Sequence, residues 1–389
     1  MFALQSILSF FKATNKPKMT NQKSTYAVFE DPGMDFYFNV ANIPVLREGE
    51  LLVRNSFCTI CRSDLNTYIG KRKEKTPTIL GHEVIGRIER FGPDSKTSDL
   101  RGHQLEIGDR ISWAIYGSNP DSSYSKKGMP QKAPDLFKYG HEQITALSNL
   151  HGGLSEYTII RKNTPVVCIN GDVPDPVAAL INCSVATVAG AIRLAGNLEG
   201  QNVLINGTGM LGIIACAMAR ENGAKNVIAR DSNPGRAKLA GNFGANYSYA
   251  DSEILKNDQN TIDVKLTERL KPDVVLEFSG VPDAMEETLK LLDTGGVAIW
   301  IGATFPQRGL SINAEYLIRN LLTIKGLHNY NAQDFLSAVK FIEQYHSKYD
   351  FSGLIHGQFL LNEVNEAFKY GVEKNPFRVG INLINNDIL

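Results

Sequence analysis

The stretch 202–231, NVLINGTGMLGIIACAMARENGAKNVIARD, decides the larger part of the fold. It opens on an apolar run, breaks at Gly207, Gly209 and Gly212, continues at helical length, and closes on a second β-branched run. That order predicts strand, tight turn, helix and strand, the unit from which parallel sheets are wound. Each glycine has a task if a dinucleotide binds here. Gly207 makes the turn, Gly209 lets the backbone approach a pyrophosphate, and Gly212 lets the helix pack on its strand, while Met210 and Leu211 complete the cofactor loop. The helix N-terminus then faces the phosphates. A lone Gly-x-Gly-x-x-Gly carries little weight, but Asp231 follows 19 residues after Gly212, at the end of the second run. A carboxylate there accepts hydrogen bonds from the ribose hydroxyls and repels a 2′-phosphate, so NAD is expected rather than NADP. Arg230 and Arg236 flank it and read as solvated surface charges, Arg236 being able also to reach the ribose edge. Runs at 272–280 and 297–303, alternating with helical stretches, extend the same doubly wound parallel sheet.

Upstream, residues 61–86 put a thiol, a hydroxyl, a carboxylate and an imidazole into one segment, CRSDLNTYIGKRKEKTPTILGHEVIG. Catalytic zinc takes three protein ligands and keeps a fourth position open. Cys61 and His82 supply two. Cys183, in ALINCSVAT just before the nucleotide motif, is the best third. Cys58 completes a Cys-x-x-Cys with Cys61, yet no second such pair follows, so Cys58 reads as a small core residue. Ser63 can hydrogen-bond a substrate oxygen at the metal, and Asp64 can either orient a ligand imidazole or cap its own loop.

Composition sets the outer bounds. A chain of 389 residues calls for two domains, and 43% hydrophobic with 21% charged residues is globular. Lys plus Arg and Asp plus Glu balance at 41 each, which argues against nucleic acid or an anionic membrane and for a small-molecule partner. Five scattered cysteines point to a reducing compartment, the cytoplasm, with thiols free for metal. No apolar run approaches the roughly 18 residues of a membrane span. Residues 1–24 lack any acidic residue, but Lys12, Lys16 and Lys18 follow the short apolar run instead of preceding it as in a secretory signal. A disordered tail is expected there, with Met19 as an alternative beginning.

Taken together, CRSD at 61–64, GHEVIGRIERFG at 81–92, GDRI at 108–111, GGLSEY at 152–157, a cysteine before a nucleotide loop, and LLDTGGVAIWIG at 291–302 resemble the zinc-dependent medium-chain dehydrogenase/reductase (alcohol dehydrogenase) superfamily. The resemblance covers about residue 26 to the end. It implies an α/β protein: a GroES-like β-rich catalytic domain at 25–184 and 328–389 around a Rossmann domain at 185–327. It further implies zinc on Cys61, His82 and Cys183, with Glu83 a neighbour able to join the metal transiently, Ser63 the proton-relay hydroxyl and Asp64 behind the ligands. Ser279, Gly280, Ile301 and Gly302 would line the cofactor. Thr187 would lie near the nicotinamide or pack on its helix face, and Arg378 near the pyrophosphate or else as an exposed base. The reaction implied is interconversion of an alcohol with an aldehyde or ketone, by a homodimer or homotetramer. A metal-free enone or quinone reductase and a non-catalytic dinucleotide sensor are the alternatives.

Two departures qualify the resemblance. Where many members bind a structural zinc through four cysteines, this chain has Asn119, Ser122, Ser125 and Ala133, so the lobe 118–142 is expected to keep its loop without that metal. Asn66 stands where some alcohol dehydrogenases have a relaying histidine. Within the lobe, GMPQK and LFKYGHE look most like the branch associated with phosphonate catabolism, which implies a polar substrate, phosphonate- or phosphate-bearing or a polyol.

Overall fold

The computed structural model describes residues 19–146, 148–250 and 270–384. The stretch 202–231 forms the expected unit: strand Asn202–Asn206, helix Met210–Glu221 and strand Asn226–Asp231. Six parallel strands make the sheet, in the order Tyr247–Ala250, Asn226–Asp231, Asn202–Asn206, Val274–Glu277, Val297–Trp300 and Thr323–Gly326. Helices cover both faces, which is why the central strands read as unbroken apolar runs. The chain order reverses between Asn202–Asn206 and Val274–Glu277, and the crevice beyond their carboxyl ends is where such sheets bind ligands.

A second sheet of seven strands is mostly antiparallel. Its spine runs Ile355–Leu360, Arg378–Asn382, Leu51–Ile60, Glu83–Phe91, Arg110–Trp113 and Val166–Cys168, with Tyr157–Ile160 joined to Leu51–Ile60. Its register prepares the site. Thr59 lies opposite Glu83 on one side, and Ile60 lies opposite Val379 on the other. Cys61, Glu83 and Arg378 therefore sit where three neighbouring strands end or begin.

Three sequence expectations change. Residues 19–24 are not a disordered tail, because a strand begins at Met19 and Ser24 is fully buried; residues 1–18 lie outside the described residues. Among the described residues one helical stretch, Asp175–Ala195, is long and apolar enough to cross a bilayer, but 83% of its apolar window is buried inside the protein, as a core helix is. Arg230 is not a solvated charge: it is 5% exposed and paired with Glu287 at 2.6 Å.

Candidate active site

The helix Arg62–Tyr68 begins directly after Cys61, and Asp64 at its third position closes the first turn by accepting the Cys61 N–H at 2.9 Å. The same carboxylate accepts the Gly81 N–H at 3.4 Å and lies 3.3 Å from His82 Nδ1. Asp64 thus caps its own helix and also stands against the imidazole. His82 Nε2 then faces the cavity, 3.4 Å from Ser63 Oγ. Cys183 arrives from the helix at 175–195, which carries a π-helical turn at Ile181–Val185. Such single-turn irregularities recur at functional sites because they re-aim one side chain. The ligand atoms of Cys61, His82 and Cys183 all lie within 4.8 Å of one another. Two sulfurs and an imidazole nitrogen converging in a buried pocket are the donor set of a zinc site with one position open.

Without a metal the three ligands share their protons unequally: Cys61 is poised as a thiolate, while Cys183 and His82 hold protons that a bound metal would displace. A hydrogen bond from the Cys183 thiol holds Cys61 well below the usual thiol range against the opposing effect of burial, with Arg378 and His82 assisting. Cys183 is correspondingly pushed up by that bond and by burial. Burial alone would lower the His82 imidazole, but Asp64 and Cys61 carry it to about 10. Cys58 is fully buried, and burial first, then nearby carboxylates, keeps it a thiol.

Glu83 does not belong to the ligand cluster. Its carboxylate accepts from Thr59 Oγ1 at 2.6 Å, Ser184 Oγ at 3.1 Å and the Arg378 guanidinium at 2.6 and 2.8 Å. Reaching a metal would mean giving up Arg378. Arg378 itself is 3% exposed, which overturns the reading of an exposed base, and its Nη2 stands 3.4 Å from Cys61 Sγ. Sequence reasoning missed this buried pair because 295 residues separate its members.

One cavity of about 820 Å³ brings most of the remaining candidates together. Its lining includes Cys61, Ser63, His82 and Cys183 from one sheet's side, with Thr187, Leu211, Ser279, Gly280, Ile301 and Gly302 from the other. Asn66 lines it as well. The loops of the second group cross at van der Waals contact: a Cβ on Gly280 would lie 2.5 Å from the Gly302 carbonyl carbon. A Cβ on Gly212 would lie 1.9 Å from Gly207 O, so the helix can meet its strand only without a side chain there. A Cβ on Gly209 meets nothing within 4 Å, leaving open space before the helix N-terminus, the cradle a pyrophosphate requires. Met210 is buried beneath it. Asp231 Oδ2 accepts from Thr208 N at 2.7 Å and Oδ1 from Asn233 N at 2.8 Å, which fixes the carboxylate at the end of its strand. Arg236 lies over the Phe377 ring and donates to Asn375 O at 2.9 Å, so it is tied to the other sheet's side of the molecule.

The lobe has no cysteines at the four positions and holds itself by hydrogen bonds. Ser122 caps the short helix Ser123–Lys126, Ser125 Oγ donates to Asn119 O at 2.7 Å, and Asn119 Oδ1 accepts the Asp121 N–H at 2.9 Å.

Family models agree with this architecture. An alcohol dehydrogenase GroES-like domain matches residues 47–171, and a zinc-binding dehydrogenase domain matches residues 211–344. The chain belongs to the zinc-dependent medium-chain dehydrogenase/reductase superfamily and is an oxidoreductase of the dehydrogenase type. It is 28% identical to an L-threonine 3-dehydrogenase of Vibrio cholerae, over 87% of this chain and 92% of that protein. An alcohol dehydrogenase from Thermotoga maritima superposes with a TM-score of 0.85 at 26% identity, over 93% and 99% of the two chains. L-idonate 5-dehydrogenase from Escherichia coli shares the fold with a TM-score of 0.77 at 20% identity, over 94% and 99%.

Proposed function

We propose that the protein is a zinc- and NAD-dependent alcohol dehydrogenase that interconverts a polar alcohol with its aldehyde or ketone. The observation that carries this reading is the Cys61–His82–Cys183 cluster, with Ser63 beside it, facing the loops of the nucleotide sheet across one cavity. When bound, zinc supplies Lewis acidity to the substrate oxygen and NAD accepts the hydride. Cys61, His82 and Cys183 hold the metal while leaving one position for that oxygen. Asp64 keeps the imidazole aimed, and Arg378 with Glu83 buttresses Cys61 from behind. Ser63 Oγ would accept the hydroxyl proton as charge builds on the oxygen and pass its own to water in the cavity, acting as a relay. The flanking loops keep water from the reacting carbon.

Asp231 supports NAD, because its carboxylate is pinned where a 2′-phosphate would approach and the nearby Arg236 is engaged elsewhere. The similarity to a threonine dehydrogenase supports a polar alcohol, in line with the phosphonate- or phosphate-bearing or polyol substrate suggested by the lobe. A division at 184/185 and 327/328 is supported by the two sheets, each built wholly from one side of it. The open edge strand Thr323–Gly326 supports a dimer or tetramer joined through the nucleotide sheets, and the free thiols support a cytoplasmic setting.

Elemental analysis of protein purified without added metal tests the reading: about one zinc per subunit is expected. No zinc even after reconstitution would replace it with the metal-free reductase or the sensor. Replacing Asp231 by Gly is expected to move the NAD/NADP preference toward NADP by about tenfold, the loss of one charge-assisted contact; an unaltered ratio would show that Asp231 does not meet the ribose.

A further inference from the structure

The cavity wall is cationic. Its lining includes Arg62, Lys71, Arg72, Lys73 and Lys138, and no aspartate or glutamate. Glu74 is spent on Arg72 at 2.8 Å and His141 at 2.9 Å. Lys71 and Lys73 are exposed and hydrated, as surface lysines ordinarily are. Lys138 is different.

It stands on the two-residue strand Phe137–Lys138, paired with Tyr116–Gly117, and its backbone N–H is bonded to Glu142, so the root of the side chain is fixed. Among the described residues its ammonium has no hydrogen bond or ion pair. Burial, with repulsion from Arg72, pushes it down to about 8. Cys183 and Glu74 offset part of this, but a divalent metal would take up the charge of the cysteine, and Glu74 is engaged with Arg72 and His141. A half-buried ammonium with no hydrogen-bonded or ion-paired partner adds nothing to packing, and an apolar side chain of similar size would serve the fold better. Its charge is explained if the counter-ion arrives with the ligand.

We propose that Lys138, with Arg72 beside it, is the subsite for an acidic substituent, a phosphonate, phosphate or carboxylate, on the alcohol that reacts at the Cys61–His82–Cys183 cluster. The proposal rests on the dehydrogenase reading and narrows it, since a neutral polyol would leave the ammonium unpaired. The basic wall also draws anions toward the cavity mouth.

Calorimetric titration of methylphosphonate and of acetate into the zinc- and NADH-loaded protein tests the subsite. At least one anion is expected to bind, with Lys138→Met weakening it about tenfold or more, as for loss of a charge-assisted hydrogen bond. Lys138→Arg should stay within about threefold of wild type because it keeps the charge. Lys71→Met, which removes an exposed charge from the same wall, should change affinity less than about twofold in physiological salt. Tighter methylphosphonate supports a phosphorus acid as the natural substituent, and tighter acetate a carboxylic acid. Binding of neither anion, equal affinity in wild type and Lys138→Met, or an equal loss in Lys71→Met would overturn the subsite. Zinc content and oxidation of uncharged 1,2-propanediol by the wild type report on the dehydrogenase reading separately. A wild type that oxidises no alcohol yet binds methylphosphonate through Lys138 sinks that reading and supports the subsite.

Discussion

At Cys61, His82 and Cys183 the chain keeps two thiols and an imidazole around one point, whereas at Asn119, Ser122, Ser125 and Ala133 it has none where many relatives bind metal. The two regions differ in what a metal would do there. Where a zinc would only tie a loop, hydrogen bonds of about 1 kcal/mol each can do the same work, and the Asn119–Ser122–Ser125 network ties this loop. A zinc that polarises a substrate has no substitute among hydroxyls and amides, so its ligands must all remain.

The contrast breaks most readily at the ligands. Cys61→Ala or His82→Ala is expected to bring zinc from about one per subunit to near zero and to lower turnover by more than about a thousandfold, with NADH binding intact. Zinc retained at full stoichiometry in both would dissolve the distinction between the regions. A wild-type value of two would instead direct attention to His103, Asp109 and Cys168, whose ligand atoms also lie within 4.8 Å of one another. Ser63→Ala removes the proton acceptor without touching a ligand. Turnover should fall by about a hundredfold or more at unchanged zinc content, and an unchanged rate would remove Ser63 from the relay.

Packing around the lobe offers a sharper, smaller test. His151 is 1% exposed, lies edge-on to Phe137, and is pushed down to about 4, chiefly by burial and then by Arg161. The unfolded imidazole titrates near 6.5, so below that pH the unfolded chain takes up a proton that the folded one refuses until about pH 4. Stability should therefore fall on acidification through this window, by at most about 3 kcal/mol from this group. Denaturant melts at pH 7 and pH 4.5 should show His151→Phe losing less than the wild type; equal losses would place the acid sensitivity elsewhere. The smallest effect is expected within the lobe. Ser122→Ala deletes a helix cap and should cost about 1 kcal/mol, with zinc content unaltered, by melting and elemental analysis. A loss of metal in that variant would mean the lobe had not exchanged its zinc after all.

Much of this was legible in the residues alone. The Gly207–Gly212 turn and the apolar runs around it specify strand, turn and helix because those constraints are local, a matter of backbone conformation and period. Thiol, imidazole and hydroxyl types at Cys61, His82, Cys183 and Ser63 named the metal chemistry, since few other groups can do it. The strand at Met19–Ser24 is not legible in the sequence because this stretch has little apolar signature of its own and becomes a strand by pairing with residues 41–44.

By itself, then, the sequence determined the parallel strand–turn–helix unit, the thiol and imidazole types that meet at Cys61, His82 and Cys183, and a lobe without thiols at 119, 122, 125 and 133, all of which depend on residue type and spacing. Only the tertiary structure decided that Arg378 is buried on Glu83 and Cys61, that Arg230 is paired inside the protein, and that Lys138 lines the cavity with no ion pair among the described residues. Such facts turn on which distant strands lie side by side and how much water is left between them, and a buried charge looks the same in one dimension as a hydrated one.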